Sequence, residues 1–160
     1  MKKITFILIA LITGTTFAQS AEGTATVNAA IVSPITISNS SSNLDFGNIA
    51  TPDAATDIVV STAGTRTAVA GVTIPGGTIS AASFTINAAN TYGYTISIPA
   101  IDLKRAGEAD MSVSFSSSLG ATSTGTGADQ TLNVGGTLTV GASQGAGAYT
   151  GTATVTVAYQ

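Results

Sequence analysis

The sequence predicts an all-β protein with the fold of an immunoglobulin-like antiparallel β-sandwich. Apolar and small polar residues alternate with a period of two in stretch after stretch, which is the pattern of a strand with one buried face. Glycine-rich and proline-containing segments separate these stretches at intervals of about ten residues, as turns do in a sandwich. No stretch places apolar residues at i, i+3, i+4 and i+7 among good helix formers. A β-solenoid is the alternative, but it needs a repeated unit that the sequence lacks.

Residues 1–18 have the layout of a secretory signal peptide. Two lysines precede an apolar run from Ile4 to Ile12, and small residues precede an expected cleavage after Ala18. The apolar run is shorter than the roughly 20 residues that a helix needs to cross a bilayer. We therefore expect a protein that is exported through the periplasm to the cell surface or the extracellular space.

Residues 19–33 are interpreted as an N-terminal extension or a first strand, ahead of a β-sandwich domain that comprises residues 34–160. One face of the extension is apolar and consists of Ala25, Val27, Ala29 and Ile31. Pro34 cannot donate a ladder hydrogen bond, so it separates this segment from the strand that follows. Two interpretations remain open. The segment is either the first strand of its own sandwich or a donor strand that completes a sheet of the next subunit by β-augmentation.

The interior strands are marked by apolar residues two positions apart. They are Leu44 with Phe46, Ile58 with Val60, Phe84 with Ile86, Tyr94 with Ile96 and Ile98, Met111 with Val113 and Phe115, and Leu132 with Val134. Turns are expected between them, including 120–128, Gly135–Gly136 and 141–147. The segment 101–110 is the one candidate for a helical turn, although Gly107 weakens it.

The last strand has the clearest alternation of the chain. Threonine occupies positions 150, 152, 154 and 156, and the intervening positions form an apolar face. The residues we assign to this C-terminal assembly strand are Gly147, Tyr149, Ala153, Val155, Val157 and Tyr159. A threonine ladder is also found in ice-binding surfaces, but threonine on the outer face of a strand is an ordinary consequence of its β-propensity.

The composition argues against an enzyme and against most ligands. The chain has no histidine, cysteine or tryptophan, so imidazole triads, thiolate catalysis and the usual zinc or haem ligands are excluded. The charged cluster within 102–110 is expected to be a solvated loop. A net charge of −3 argues against nucleic-acid binding, and the glycine-rich segment 141–147 lacks the lysine of a phosphate loop. We expect no enzymatic activity, no cofactor, no metal and no nucleotide.

Several segments resemble a known family of exported bacterial domains, the domain of unknown function 4402. They are Ile31–Ile37, Leu44–Ile49, Gly64–Thr67, Gly135–Gly141 and Gly147–Tyr159, in the same order as in the family. More distantly, the chain resembles the spore-coat-protein-U and archaic chaperone–usher pilin group, whose subunits are incomplete sandwiches joined by donor-strand exchange. Pilins of the chaperone–usher type carry a glycine fourteenth from the C-terminus and a penultimate aromatic residue, and Gly147 and Tyr159 occupy these positions.

This second resemblance implies a structural, fimbria-like subunit of the cell surface. It also implies self-association into fibres, a periplasmic chaperone that binds the last strand, and an outer-membrane usher. Many archaic subunits carry a disulfide near the N-terminus, and this cysteine-free chain departs from that pattern. A monomeric secreted adhesion or matrix module is the alternative function.

Overall fold

The computed structural model describes residues 19–68 and 72–160. The predicted signal peptide, residues 1–18, lies outside the described residues. Internal contacts divide the chain into two units, one that ends at Ile31 and one that comprises Val32–Gln160. Within the first unit, residues 19–31 are exposed and belong to no strand.

The second unit is an antiparallel β-sandwich, which confirms the predicted fold class, and its described residues contain no helix. The strands are β1 Thr36–Ser42, β2 Thr56–Val60, β3 Arg66–Ala68, β4 Ala82–Asn87, β5 Gly93–Ser97, β6 Ile101–Leu103, β7 Met111–Ser117, β8 Thr122–Thr124, β9 Asp129–Val140 and β10 Thr156–Tyr159. No helix in the described part of the chain has the length and apolar character needed to span a membrane.

The long strand β9 organises the larger sheet. Gly136 pairs with both β2 and β7, and Val134 pairs with both β4 and β7. A residue has one neighbour on each edge, so β7 lies along one edge of β9, while β4 and β2 follow each other along the opposite edge. β1 extends the sheet beyond β4, β3 beyond β2, and β6 beyond β7.

The smaller sheet has the order β10–β5–β8 and is also antiparallel. Its inward residues Tyr94 and Ile96 pack against Ile86 and Leu132 of the larger sheet, in a core that also contains Val134. A second core cluster lies around β2, β7 and the end of β9. Leu44 and Phe115 pack against both clusters, so the core is continuous through these two residues.

Four expectations for local structure were wrong. Gly135–Gly136 is not a turn but the middle of β9. The glycines are required there because a Cβ on Gly135 would lie 2.6 Å from the Ser61 carbonyl carbon, and one on Gly136 would lie 3.0 Å from Leu44 Cδ2. The segment 120–128, predicted as a turn, contains β8, and 101–110 contains β6 and a β-turn rather than a helical turn.

The fourth difference concerns the last strand. The alternation predicts a strand over 149–159, but only Thr156–Tyr159 pairs with a neighbouring strand. Thr150 makes an isolated bridge with Lys104, and residues 151–155 have no ladder partner. This unpaired stretch forms part of the site described next.

Candidate functional site

An open groove with a volume of about 1030 Å³ lies in the unit that comprises Val32–Gln160. One side is the segment Leu44–Thr51, which we call the first wall. The other side is the segment Gln144–Val155, which we call the second wall. The floor consists of the inward faces of β7 and β9, with contributions from β4 and β6.

The groove exposes large apolar side chains that a closed sandwich would cover. The partly buried ones that line it are Leu44, Ile49, Phe84, Ile101, Leu103, Phe115, Tyr149 and Val155. Beneath them lie fully buried residues of the core, among them Val113 and Leu138. Asp45 is the one charged residue among the described residues that line the groove. A cleft of this size, with large apolar side chains and one described charged residue in its lining, offers another segment both apolar and polar contacts.

The first wall is held from its outer side. The backbone of Asp45 pairs with Ser80 in both directions, and the amides of Asn48 and Ala50 donate to the carbonyls of Gly76 and Thr73. The Arg66 guanidinium of β3 donates to the carbonyl oxygens of Phe46 and Asn48, the latter at 3.0 Å. Gly47, at φ +68°, leaves the space that this guanidinium occupies. The inner side of the wall, which carries Phe46 and Ile49, faces the groove.

The second wall has a free backbone edge. Thr150 exchanges two hydrogen bonds with Lys104, at 2.8 and 3.1 Å. Further along, the even-numbered residues 156 and 158 pair with β5. Because backbone groups alternate in direction along a strand, those of residues 151, 153 and 155 point to the opposite edge. Among the residues that the structure describes, none hydrogen-bonds to the backbone of residues 151–155.

The two walls join at one end of the groove. The Thr51 hydroxyl donates to the Gln144 carbonyl at 3.1 Å, and the Ser143 amide donates to the Pro52 carbonyl at 2.9 Å. The Gln144 side-chain amide donates to the Ala109 carbonyl at 2.7 Å and to the Tyr149 hydroxyl at 2.9 Å. At the other end, near Asn43 and Val155, no hydrogen bond between the two walls is found among the described residues. The groove is therefore closed at the Gln144 end.

Four of the predicted C-terminal residues come together in this site. Gly147, Tyr149, Ala153 and Val155 line the second wall. Val157 and Tyr159 instead lie in β10 and pack against the core around Tyr94.

The predicted donor residues Ala25, Val27, Ala29 and Ile31 lie in the unit that precedes Val32. All four are exposed, and the exposed fractions of Val27 and Ile31 are 91% and 100%. Among the described residues, no hydrogen bond involves residues 19–32.

Sequence reasoning missed the first wall, Arg66 and Gln144 as parts of a site. Leu44 and Phe46 were assigned to an ordinary strand, and the segment with Gln144 to a turn. Both Leu44–Ile49 and Gly64–Thr67 belong to the segments that carry the family resemblance. The sequence does not indicate that the two segments contact each other. The contact becomes evident only in the fold, where Arg66 reaches Phe46 of the first wall, twenty positions earlier in the chain.

The charged segment 102–110 contains the end of β6 and the solvated turn, residues 104–110, that leads to β7. It holds the ion pairs Lys104–Asp110 at 3.3 Å and Arg105–Glu108 at 3.5 Å. In the described part of the chain, no three acidic, histidine or cysteine side chains are grouped to hold a metal ion. The chemistry that the groove itself offers is apolar burial together with backbone hydrogen bonding.

Fold and groove together define an antiparallel β-sandwich that leaves part of its core and one backbone edge uncovered. The chain belongs to the family described as Domain of unknown function (DUF4402), whose model matches residues 35–159. No curated protein and no solved structure matches the chain significantly.

Proposed function

We propose that the protein is an exported structural subunit of the cell surface that assembles into fimbria-like fibres by donor-strand exchange. In this proposal the groove of one copy receives the extension of another copy. The observation that carries it is the free backbone edge of residues 151–155 beside an uncovered apolar floor. An added strand would satisfy the backbone groups by ladder hydrogen bonds and cover the floor with alternate side chains.

The apolar face of the extension matches the apolar face of the second wall in length. From Ala25 to Ile31 the apolar face covers six residue steps, and from Tyr149 to Val155 the apolar face of the second wall also covers six (31 − 25 and 155 − 149). Each span corresponds to roughly 20 Å of strand. Residues 23–32 carry no charge, which suits a groove with Asp45 as its one described charged residue.

The exposure of the extension supports its role as the occupant. The exposed fractions of Val27 and Ile31 are 91% and 100%, so both side chains still have apolar surface to bury. In this proposal they fill the groove of another copy.

Burial of these side chains gives the exchange a driving force. A fully buried valine or isoleucine contributes about 1.5 to 3 kcal/mol, so Val27 and Ile31 together contribute about 3 to 6 kcal/mol. The ladder to residues 151–155 adds register rather than much net energy, because its hydrogen bonds replace those with water. Without an occupant, the free edge and apolar floor favour non-specific aggregation.

The proposal also includes the route to the surface. A groove that aggregates when empty needs protection between export and assembly, which is the role of a periplasmic chaperone in the group that the chain resembles. The predicted signal peptide and the positions of Gly147 and Tyr159 support this route. An outer-membrane usher would complete it.

The test replaces the apolar anchors of the extension. We expect the double variant Val27→Asp, Ile31→Asp of the mature chain to remain monomeric where the unmodified chain forms polymers. Thr26→Asp, Asn28→Asp is the matched control, since it adds the same charge to the opposite face and should still polymerise. Size-exclusion chromatography with light scattering and negative-stain microscopy measure the outcome. Polymers from the Val27, Ile31 variant would refute the proposal, and an unmodified chain that stays monomeric under all assembly conditions would favour the secreted adhesion or matrix module.

A further inference from the structure

We infer that Gln144 is the end-stop of the groove and determines the length and register of the strand that the groove accepts. The inference rests on the proposed function, because it concerns the occupant proposed above. In this inference Gln144 discriminates between apolar strands of different length.

The geometry around Gln144 carries the inference. Its backbone carbonyl is bonded to Thr51 of the first wall, and its side chain to Tyr149 of the second wall. The same side-chain amide donates to the Ala109 carbonyl, in the turn that leads into the floor strand β7. Three sides of the groove therefore meet at one residue. A strand lying in the groove must end or leave the plane at this point.

Because one end of the groove is closed, the length of a bound strand determines its register. A strand that is two residues too long at the closed end must shift by two positions, because a shift by one would turn its apolar face away from the floor. After a shift by two in either direction, an alanine, Ala25 or Ala29, would lie where Val27 belongs. Smaller side chains would then leave the floor partly uncovered. We expect the affinity to fall by about tenfold or more, because a tenfold change corresponds to only about 1.4 kcal/mol of binding free energy.

The open end gives no such constraint. Near Asn43 and Val155 the walls are not bridged by hydrogen bonds among the described residues, so extra residues can continue into solvent. The end-stop therefore predicts an asymmetry. A peptide lengthened at one end should bind much more weakly, and a peptide lengthened at the other end should bind as before.

The experiment measures peptide binding to the full mature chain carrying Val27→Asp and Ile31→Asp, which keeps its groove empty. The probes are a fluorescent peptide of residues 23–32 and two versions lengthened by Ser-Thr, one at each end. We expect one lengthened peptide to bind about tenfold more weakly or worse. In a Thr51→Ala, Gln144→Ala background, which removes the bond between the walls at this end and the side-chain bonds of Gln144, this difference should shrink to about twofold or less.

Gln130→Ala is the matched control. Its side chain accepts a hydrogen bond from Tyr94 and donates one to Thr124, and it does not line the groove, so the asymmetry should persist. Equal tolerance at both ends, or an asymmetry that survives the Thr51→Ala, Gln144→Ala replacement, overturns the inference and leaves the proposed function intact. Failure of the peptide 23–32 itself to bind overturns both.

Discussion

The hydroxyl of Tyr159 donates a hydrogen bond to the carbonyl of Ser33 at 3.0 Å and accepts one from the amide of Ala89 at 2.8 Å. One side chain thus ties the last strand to the residues just before β1 and to the loop after β4. Its ring also makes an edge contact with Tyr92, with centroids 6.0 Å apart. The point at which the chain enters the sandwich is therefore fixed by β10.

Tyr159→Phe should destabilise the sandwich by about 1 to 2 kcal/mol, because it removes two hydrogen bonds and leaves the Ala89 amide without a partner. Tyr92→Phe is the control, since the same atom is removed from an exposed ring while the ring contact is kept. Urea unfolding followed by tyrosine fluorescence and circular dichroism gives both values. Equal stability of the two variants would show that the bridge contributes nothing.

Gly135→Ala should destabilise the protein by about 1 to 3 kcal/mol or more, as overpacking in a core does. A Cβ at this position would lie 2.6 Å from the Ser61 carbonyl carbon and 2.8 Å from the Thr62 amide nitrogen, which are backbone atoms and cannot rotate away. At Gly93 the nearest atom is the side-chain oxygen of Gln160, at 2.8 Å, which can move. Gly93→Ala should therefore change the unfolding midpoint far less. A similar loss in both variants would contradict the packing argument.

The same glycine shows why some of the fold was beyond sequence reasoning. Period-two alternation correctly identified the faces of β2, β4, β5 and β7, because it depends on each strand's own residues. Glycine in a strand and glycine in a turn look alike until the neighbouring backbone is known, so β9 was divided in two. Alternation also reports which face is apolar and not which edge is paired. For that reason the alternation predicts a strand that includes residues 151–155 without showing which of its edges is paired, and their free edge became evident only in the fold.

Arg66→Ala should weaken the first wall of the groove. The guanidinium donates to the carbonyls of Phe46 and Asn48, and charged hydrogen bonds of this kind contribute about 1.5 to 3 kcal/mol when a partner is removed. We expect a loss of stability in that range and weaker binding of the peptide of residues 23–32. Lys104→Ala removes an exposed ion pair with Asp110, which costs about 0 to 1 kcal/mol, and should leave peptide binding unchanged. Unfolding curves and peptide titration of both variants decide the matter, and unaltered binding by the Arg66 variant would exclude a role for this wall.

Cysteine pairs should report directly whether the extension reaches a second molecule. The chain has no cysteine of its own, so any disulfide comes from the introduced residues. Ala153 on the second wall and Ala25 and Ala29 on the extension share the face that would be turned to the floor. Side chains on one face of adjacent strands place their Cβ atoms within about 5 Å when they are opposite each other, which permits a disulfide.

We expect Ala153→Cys combined with Ala25→Cys or with Ala29→Cys to give a ladder of oligomers on a non-reducing gel after mild oxidation. The control pairs Ala153→Cys with Thr26→Cys or with Asn28→Cys, which lie on the opposite face and should give little product. In the proposal the bonds form between molecules, so dilution of the monomeric chain before oxidation should abolish them. Oxidised monomers that have lost both free thiols would instead mean that the extension folds back into its own groove, which would contradict the proposed exchange.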